Sequence, residues 1–239
     1  LRNPKAMNSA KNQVMFALND YLAGIALDQL SNQAAVGGIS FSTNANNGLM
    51  VNANGYTQRL PQLFQALLEG YFSYTPTEEQ LEQAKSWYAQ MMDSAEKGKA
   101  YDLALMPTQM LSQIPYFQRE DRRALLPSIT LKDVLAYRDA LKTNTRPEFL
   151  IVGNMSDVQA KTLAENVRTQ LGSKGDEWCR NQDVLIETKQ NVIFEKAGNS
   201  TDSALAAVFV PTGYDEFTST AQSAVLGQII QPWFYNQLR

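Results

Sequence analysis

"GGISFSTNANNGLMVNANGYTQRLPQLFQALLEGYF", residues 37–72, carries two different periods in one stretch. In its first half Ile39, Phe41 and Thr43, then Leu49, Val51 and Ala53, lie two apart on either side of Asn47-Gly48. A period of two belongs to a half-buried strand, and Asn-Gly accepts the positive φ of a tight turn, so the spacing predicts an antiparallel hairpin. From Leu60 the period changes. Leu60, Leu63, Phe64, Leu67, Leu68, Tyr71 and Phe72 fall on one helical face, which predicts a helix packed on the sheet. A hairpin running directly into such a helix makes the chain α+β.

Upstream, Val14, Leu18, Tyr21, Leu22, Ile25, Ala26 and Leu30 form an apolar stripe that predicts one long helix over residues 8–31. Downstream, Thr75-Pro76-x-Glu78 and Thr77-x-x-Gln80 are alternative capping boxes for a helix reaching about residue 96. Helical segments follow at "YDLALMPTQMLSQI", where Pro107 is expected to break or kink the run, at "REDRRALL" and at "TLKDVLAYRDALK". "PEFLIVGN", residues 147–154, is apolar enough for a buried strand, and Ser156-x-x-Gln159 opens a helix that Gly172 ends.

The stretch "GSKGDEWCRNQ", residues 172–182, is rich in glycine and charge and reads as a domain boundary. Beyond it, residues 184–187, 191–196 and 204–211 are strand-like, and a helix is expected from about Asp215 to Arg239. Three strands and one helix make an unfinished layer, so this second domain is expected to be truncated.

The chain has 239 residues, net charge −3 and no histidine. The mildly acidic balance gives no basic surface for nucleic acid, and no apolar run approaches the roughly 20 residues that cross a bilayer. Without histidine there is no His-x-x-Glu-His zinc helix, no Ser-His-Asp triad and no Cys-His pair. Cys179, the one cysteine, excludes an internal disulfide and a multi-thiolate metal site.

The remaining clusters have plain readings. Glu78, Glu79 and Glu82 suit the first turns of a helix, and the mixed charges of Arg119, Glu120, Asp121, Arg122 and Arg123 suit a solvated face. Gly153-Asn154 reads as a strand-to-helix turn, and Cys179 beside Trp178 as a bystander. Met91, Met92, Met106 and Met110, with Trp87, Tyr88 and Tyr101, are spaced as core filler. Arg239 is a cation suited to a helix C-terminus.

The segments "ALNDYLAGIALDQLSNQAAVGGISFS", "EFLIVGN" and above all "FEKAGNSTDSALAAVFVPTGYDEF" with "GQIIQPWFYNQLR" resemble the insulysin–pitrilysin family of zinc metalloendopeptidases, over essentially the whole chain. The resemblance implies four homologous α+β domains of the mitochondrial-processing-peptidase-like metallohydrolase type, an antiparallel-rich sheet with helices on one face. It assigns residues 1–180 to the third domain and 183–239 to the beginning of the fourth. Both belong to the non-catalytic C-terminal half, which closes with the catalytic N-terminal half around a chamber for peptides and small proteins. Zinc would sit in the N-terminal half and none in this chain, and the location implied is periplasmic, with no nucleic-acid or membrane partner. One functional position carries over: Arg239 matches an arginine that, with a tyrosine of a following Leu-Gly-Tyr motif, reaches the substrate. The competing expectation is a stand-alone interaction protein that keeps the fold without catalysis.

Overall fold

The computed structural model describes residues 1–45, 48–175, 182–183, 193, 204, 206 and 216–238. The chain is α+β, with helices α1 (Ala10–Val36), α2 (Leu60–Ser73), α3 (Glu78–Glu96), α4 (Ala100–Ser112), α5 (Arg119–Leu125), α6 (Leu131–Thr143), α7 (Asp157–Leu171) and α8 (Glu216–Leu238). Strands β1 (Ser40–Ala45) and β2 (Leu49–Asn54) form the hairpin, and β3 (Gln113–Ile114) pairs antiparallel with β4 (Gln182–Asp183).

The hairpin has the register its alternation demands, with Phe41 opposite Ala53, Thr43 opposite Val51 and Ala45 opposite Leu49. α1 begins at its Ser9 cap and runs to Val36, five residues beyond the predicted end at 31. Asn32, Gln33 and Ala35 carry no apolar signal, yet nothing in them breaks a helix before Gly37. α2 lies mainly against α1 and touches β2 less, so the expected helix-on-sheet layer is chiefly helix on helix.

Buried side chains of α1 (Val14, Leu18, Leu22), α2 (Leu67, Leu68, Tyr71), α3 (Leu81, Tyr88), α6 (Val134, Leu141) and α7 (Val167, Leu171) form one continuous cluster. Of the two boxes available to α3, Thr77 is used, its hydroxyl accepting from Gln80 N–H while the Gln80 side chain accepts from Thr77 N–H. Thr130 with Asp133 and Ser156 with Gln159 cap α6 and α7 in the same way. Gly172 ends α7 in the left-handed region, φ +59°, where a Cβ would be strained.

Of the break or kink expected at Pro107, the break does not occur: α4 continues through it, since Leu105, Met106, Met110 and Leu111 around it all favour a helix. Another expectation fails. Residues 147–152 form no strand, although they contain neither turn nor bend. A strand exists only where a neighbour completes its ladder, and among the described residues none hydrogen-bonds to this backbone. The strands expected at 184–187 and 204–211, and all but Ile193 of 191–196, lie largely outside the described residues, as do Cys179 and Arg239.

Candidate functional site

The densest group of titratable and polar side chains lies where α1, β1 and α2 meet. Asn19 and Asp20 are adjacent on α1, so they point about 100° apart and reach different neighbours. Asn19, fully buried, donates from Nδ2 to Tyr71 Oη at 3.0 Å and accepts from Tyr74 Oη at 2.7 Å. Tyr71 donates in turn to Asp20 Oδ1 at 3.1 Å, and Thr43 of β1 donates to the same oxygen at 2.6 Å. Arg138 of α6 joins from the far side, donating from Nη1 to the Tyr74 carbonyl at 2.7 Å with its guanidinium 5.1 Å from the Tyr74 ring centre.

Burial sets the acid–base character of this group. It pushes the Tyr71 phenol well above its ordinary value, with the neighbouring Asp20 carboxylate adding to the effect. Tyr74 is also raised, chiefly by burial, against the opposing charge of Arg138. Phenols shifted upward stay protonated at neutral pH, so they serve as fixed donors and not as proton carriers. The arrangement ties four elements, α1, β1, α2 and α6, through one carboxylate, one amide, two phenols, a hydroxyl and a guanidinium.

A surface cleft of about 800 Å³ lies between the N-terminal segment, the start of α1 and α6 and is bordered by Lys5, Lys11, Met15, Asp133 and Tyr137. Lys11 and Asp133 pair across it at 3.1 Å, and Tyr137 donates to the Ala6 carbonyl at 2.8 Å. The Asp133 carboxyl is held down to about 2, first by the Thr130 hydroxyl, then by the Thr130 backbone and Lys11. Lys11 and Asp133 satisfy each other there, and Lys5 is the further charged residue on the border of the cleft.

The residues singled out in the sequence do not come together. Glu78 and Glu79 occupy the first turn of α3, and Glu82 pairs with Lys85 at 2.8 Å. Arg123 pairs with Asp93 of α3. Gly153 and Asn154 form a bend before α7. The core-filler reading holds for Tyr88 and Met92, which are buried, but Trp87, Met91, Tyr101 and Met110 are exposed, and Trp87 stacks on Tyr21 at 4.8 Å. Consecutive pairs such as Trp87-Tyr88 cannot share a helix face, a point the spacing already contained. The Asn19–Tyr71–Tyr74 network had no sequence signal, because its members lie more than fifty residues apart.

Among the described residues the polar core is a packed hydrogen-bonded network joining helices and hairpin. The chain belongs to peptidase family M16: residues 1–124 match the description "Middle or third domain of peptidase_M16", and residues 128–239 match "Peptidase M16 inactive domain". It is 80% identical over all 239 residues to Protease 3 of Escherichia coli K12 and of Shigella flexneri, and 78% identical to Protease 3 of Salmonella typhi. In each case the chain spans about a quarter of the relative's length, 25%. A crystal structure of pitrilysin superposes with a TM-score of 0.96 at 80% identity, covering 100% of this chain and 26% of that one.

The zinc implied by the family resemblance does not fit these residues. The sequence holds no histidine and one cysteine, and among the described residues no three His, Cys, Asp or Glu side chains gather closely enough to hold a metal ion. Among those residues, no helix is long and apolar enough to cross a membrane.

Proposed function

We propose that this chain is a non-catalytic part of a pitrilysin-type zinc metalloendopeptidase that degrades peptides and small proteins. It supplies chamber wall, substrate contacts and a docking surface for the catalytic N-terminal half of the same polypeptide. Hydrolysis belongs where the zinc donors are, in that other half, and the location is periplasmic. The carrying observation is 80% identity along the whole chain to Protease 3 in a sequence devoid of histidine. Within the chain, residues 1–180 form the third homologous domain and residues 183–239 begin the fourth. The continuous core from Val14 to Leu171 supports that division, although the two family descriptions meet between residues 124 and 128.

Arg239 is the residue through which this chain touches substrate, by guanidinium hydrogen bonds to a peptide carbonyl. The parent enzyme is expected to lose peptidase activity to a chelator and regain it with zinc, while the 239-residue chain alone has none under either condition. Chelator-sensitive turnover by the purified chain alone overturns the reading. In the parent, Arg239→Ala should lower kcat/KM by roughly 10- to 100-fold with zinc content unchanged. Unaltered kinetics would leave Arg239 as a helix-end cation.

A further inference from the structure

The hairpin ends on a second Asn-Gly step. Asn54 is the last residue of β2, opposite Ser40 at the start of β1, and Gly55 follows it in a bend. Asn54, Gly55 and Tyr56 are all exposed. Among the described residues no group hydrogen-bonds to the Asn54 side-chain amide or to the Gly55 N–H. A side-chain carbonyl carbon and an unpaired backbone nitrogen thus lie one residue step apart, at a strand end where local opening is easiest.

Packing forces position 55 to be glycine. A Cβ on Gly55, at φ +157°, would stand 2.7 Å from Ile39 Cγ1 and 3.1 Å from Ile39 Cα, and Ile39 is buried. On the facing segment, a Cβ on Gly38, at φ +73°, would stand 3.0 Å from Tyr56 Cε2. Residues 38–39 and 55–56 therefore close on each other without room for a side chain at either glycine. The missing Cβ has a chemical consequence. It is the group that would hinder the Asn54 side chain from reaching the Gly55 nitrogen, and the contact with Ile39 forbids it.

We propose that Asn54 is a site of spontaneous covalent modification, cyclising onto the Gly55 nitrogen and opening with water to aspartate or isoaspartate. The Gly55 nitrogen, its proton lost to solvent base, forms a bond to Asn54 Cγ. The Cγ–Nδ2 bond breaks, and ammonia leaves after taking up a proton from water. Water then adds to one of the two carbonyls of the resulting succinimide. Opening at Cγ gives aspartate; opening at the Asn54 backbone carbonyl gives isoaspartate, with the chain now routed through Cβ and Cγ. Overall one water enters and one ammonia leaves. The reacting atoms belong to adjacent residues, so their approach needs only rotation about Asn54. Either product puts a negative charge at the end of β2. Isoaspartate also lengthens the backbone there, which displaces Gly55 from Ile39.

The test is peptide mapping by mass spectrometry of the full-length parent protein, kept folded at mildly alkaline pH, with fragment ions separating Asn54 from Asn47 and Asn52. Asn54 is expected to convert at least ~10-fold faster than Asn12, Asn32 and Asn166, which lie within α1 and α7. Isoaspartate is expected among the products, since only the cyclic intermediate gives it. Asn54→Gln, with a side chain one methylene longer, should bring conversion at this position down to the helical rate. Conversion of Asn54 at the helical rate in the unaltered folded protein overturns the inference, whether or not the variant folds. Aspartate without isoaspartate also overturns it, by assigning the change to direct hydrolysis. The readout is a covalent change and does not depend on peptidase activity, so failure of the proposed function leaves it standing.

Discussion

α1 and α8 are both long and rich in apolar residues, yet they have opposite fates. α1 runs from Ala10 to Val36 and buries Val14, Phe16, Leu18, Leu22 and Leu27 against α2, α3 and α6. α8 runs from Glu216 to Leu238, and Phe217, Ile229 and Trp233 stay 83%, 68% and 63% exposed. Apolar content alone does not bury a helix. α1 packs against several neighbouring helices, whereas α8 keeps a large apolar surface exposed among the described residues.

The sharpest way to break this contrast is a matched pair of truncations. Leu18→Ala in α1 opens a cavity in a site that is fully buried, and should cost about 2–5 kcal/mol in chemical denaturation. Ile229→Ala in α8 should stay within about 0.5 kcal/mol in the same chain. Equal costs would mean that α8 is packed in solution after all.

A smaller effect probes what aligns α1 with α2. Tyr71→Phe removes the hydroxyl between Asn19 and Asp20 and leaves the Asn19 amide short of a partner, at a cost of about 1–3 kcal/mol. The upward shifts of Tyr71 and Tyr74 carry a sign. Each phenol is neutral in the folded state above the pH at which it would ionise unfolded, so their contribution is complete below about pH 10 and is lost as pH climbs beyond it. Absorbance titration should show both phenols silent at pH 10 to 11 in the folded protein, with ionisation coinciding with alkaline unfolding.

The smallest effect concerns α6. Asp133 is depressed from 3.8 to about 2, so its stabilising interaction is fully present above the unfolded value and fades as pH falls toward the folded one. The carboxylate is solvent-exposed, which limits the increment to the modest value of a surface cap. The stability gap between the parent chain and Asp133→Asn should be constant above about pH 4 and close progressively below it. A gap that does not change with acid would place the contribution in shape, not charge.

Much of the fold was legible from local chemistry. The hairpin register, the α2 face and the capping boxes at Thr77 and Ser156 followed from residues within one or two turns of each other, whereas the box at Thr130 with Asp133 was found only in the structure. What failed depended on distant partners. Residues 147–152 have the composition of a strand, but the pairing just before them, between Arg146 and the distant Arg2, does not continue along them among the described residues. The Asn19 clamp likewise joins side chains that no spacing relates. The missing histidines removed the histidine-based zinc motifs from consideration, while the role proposed for Arg239 came only from family likeness, since a lone arginine at a helix end carries no signature of its own.

The reciprocal boxes at Thr77, Thr130 and Ser156 have a consequence for assembly order. Each closes within four consecutive residues, so the starting points of α3, α6 and α7 are fixed before any long-range contact exists. Local turns form in about a microsecond, far ahead of pairing between distant segments. The helix starts are therefore framed before the pairing of Arg2 with Arg146 closes.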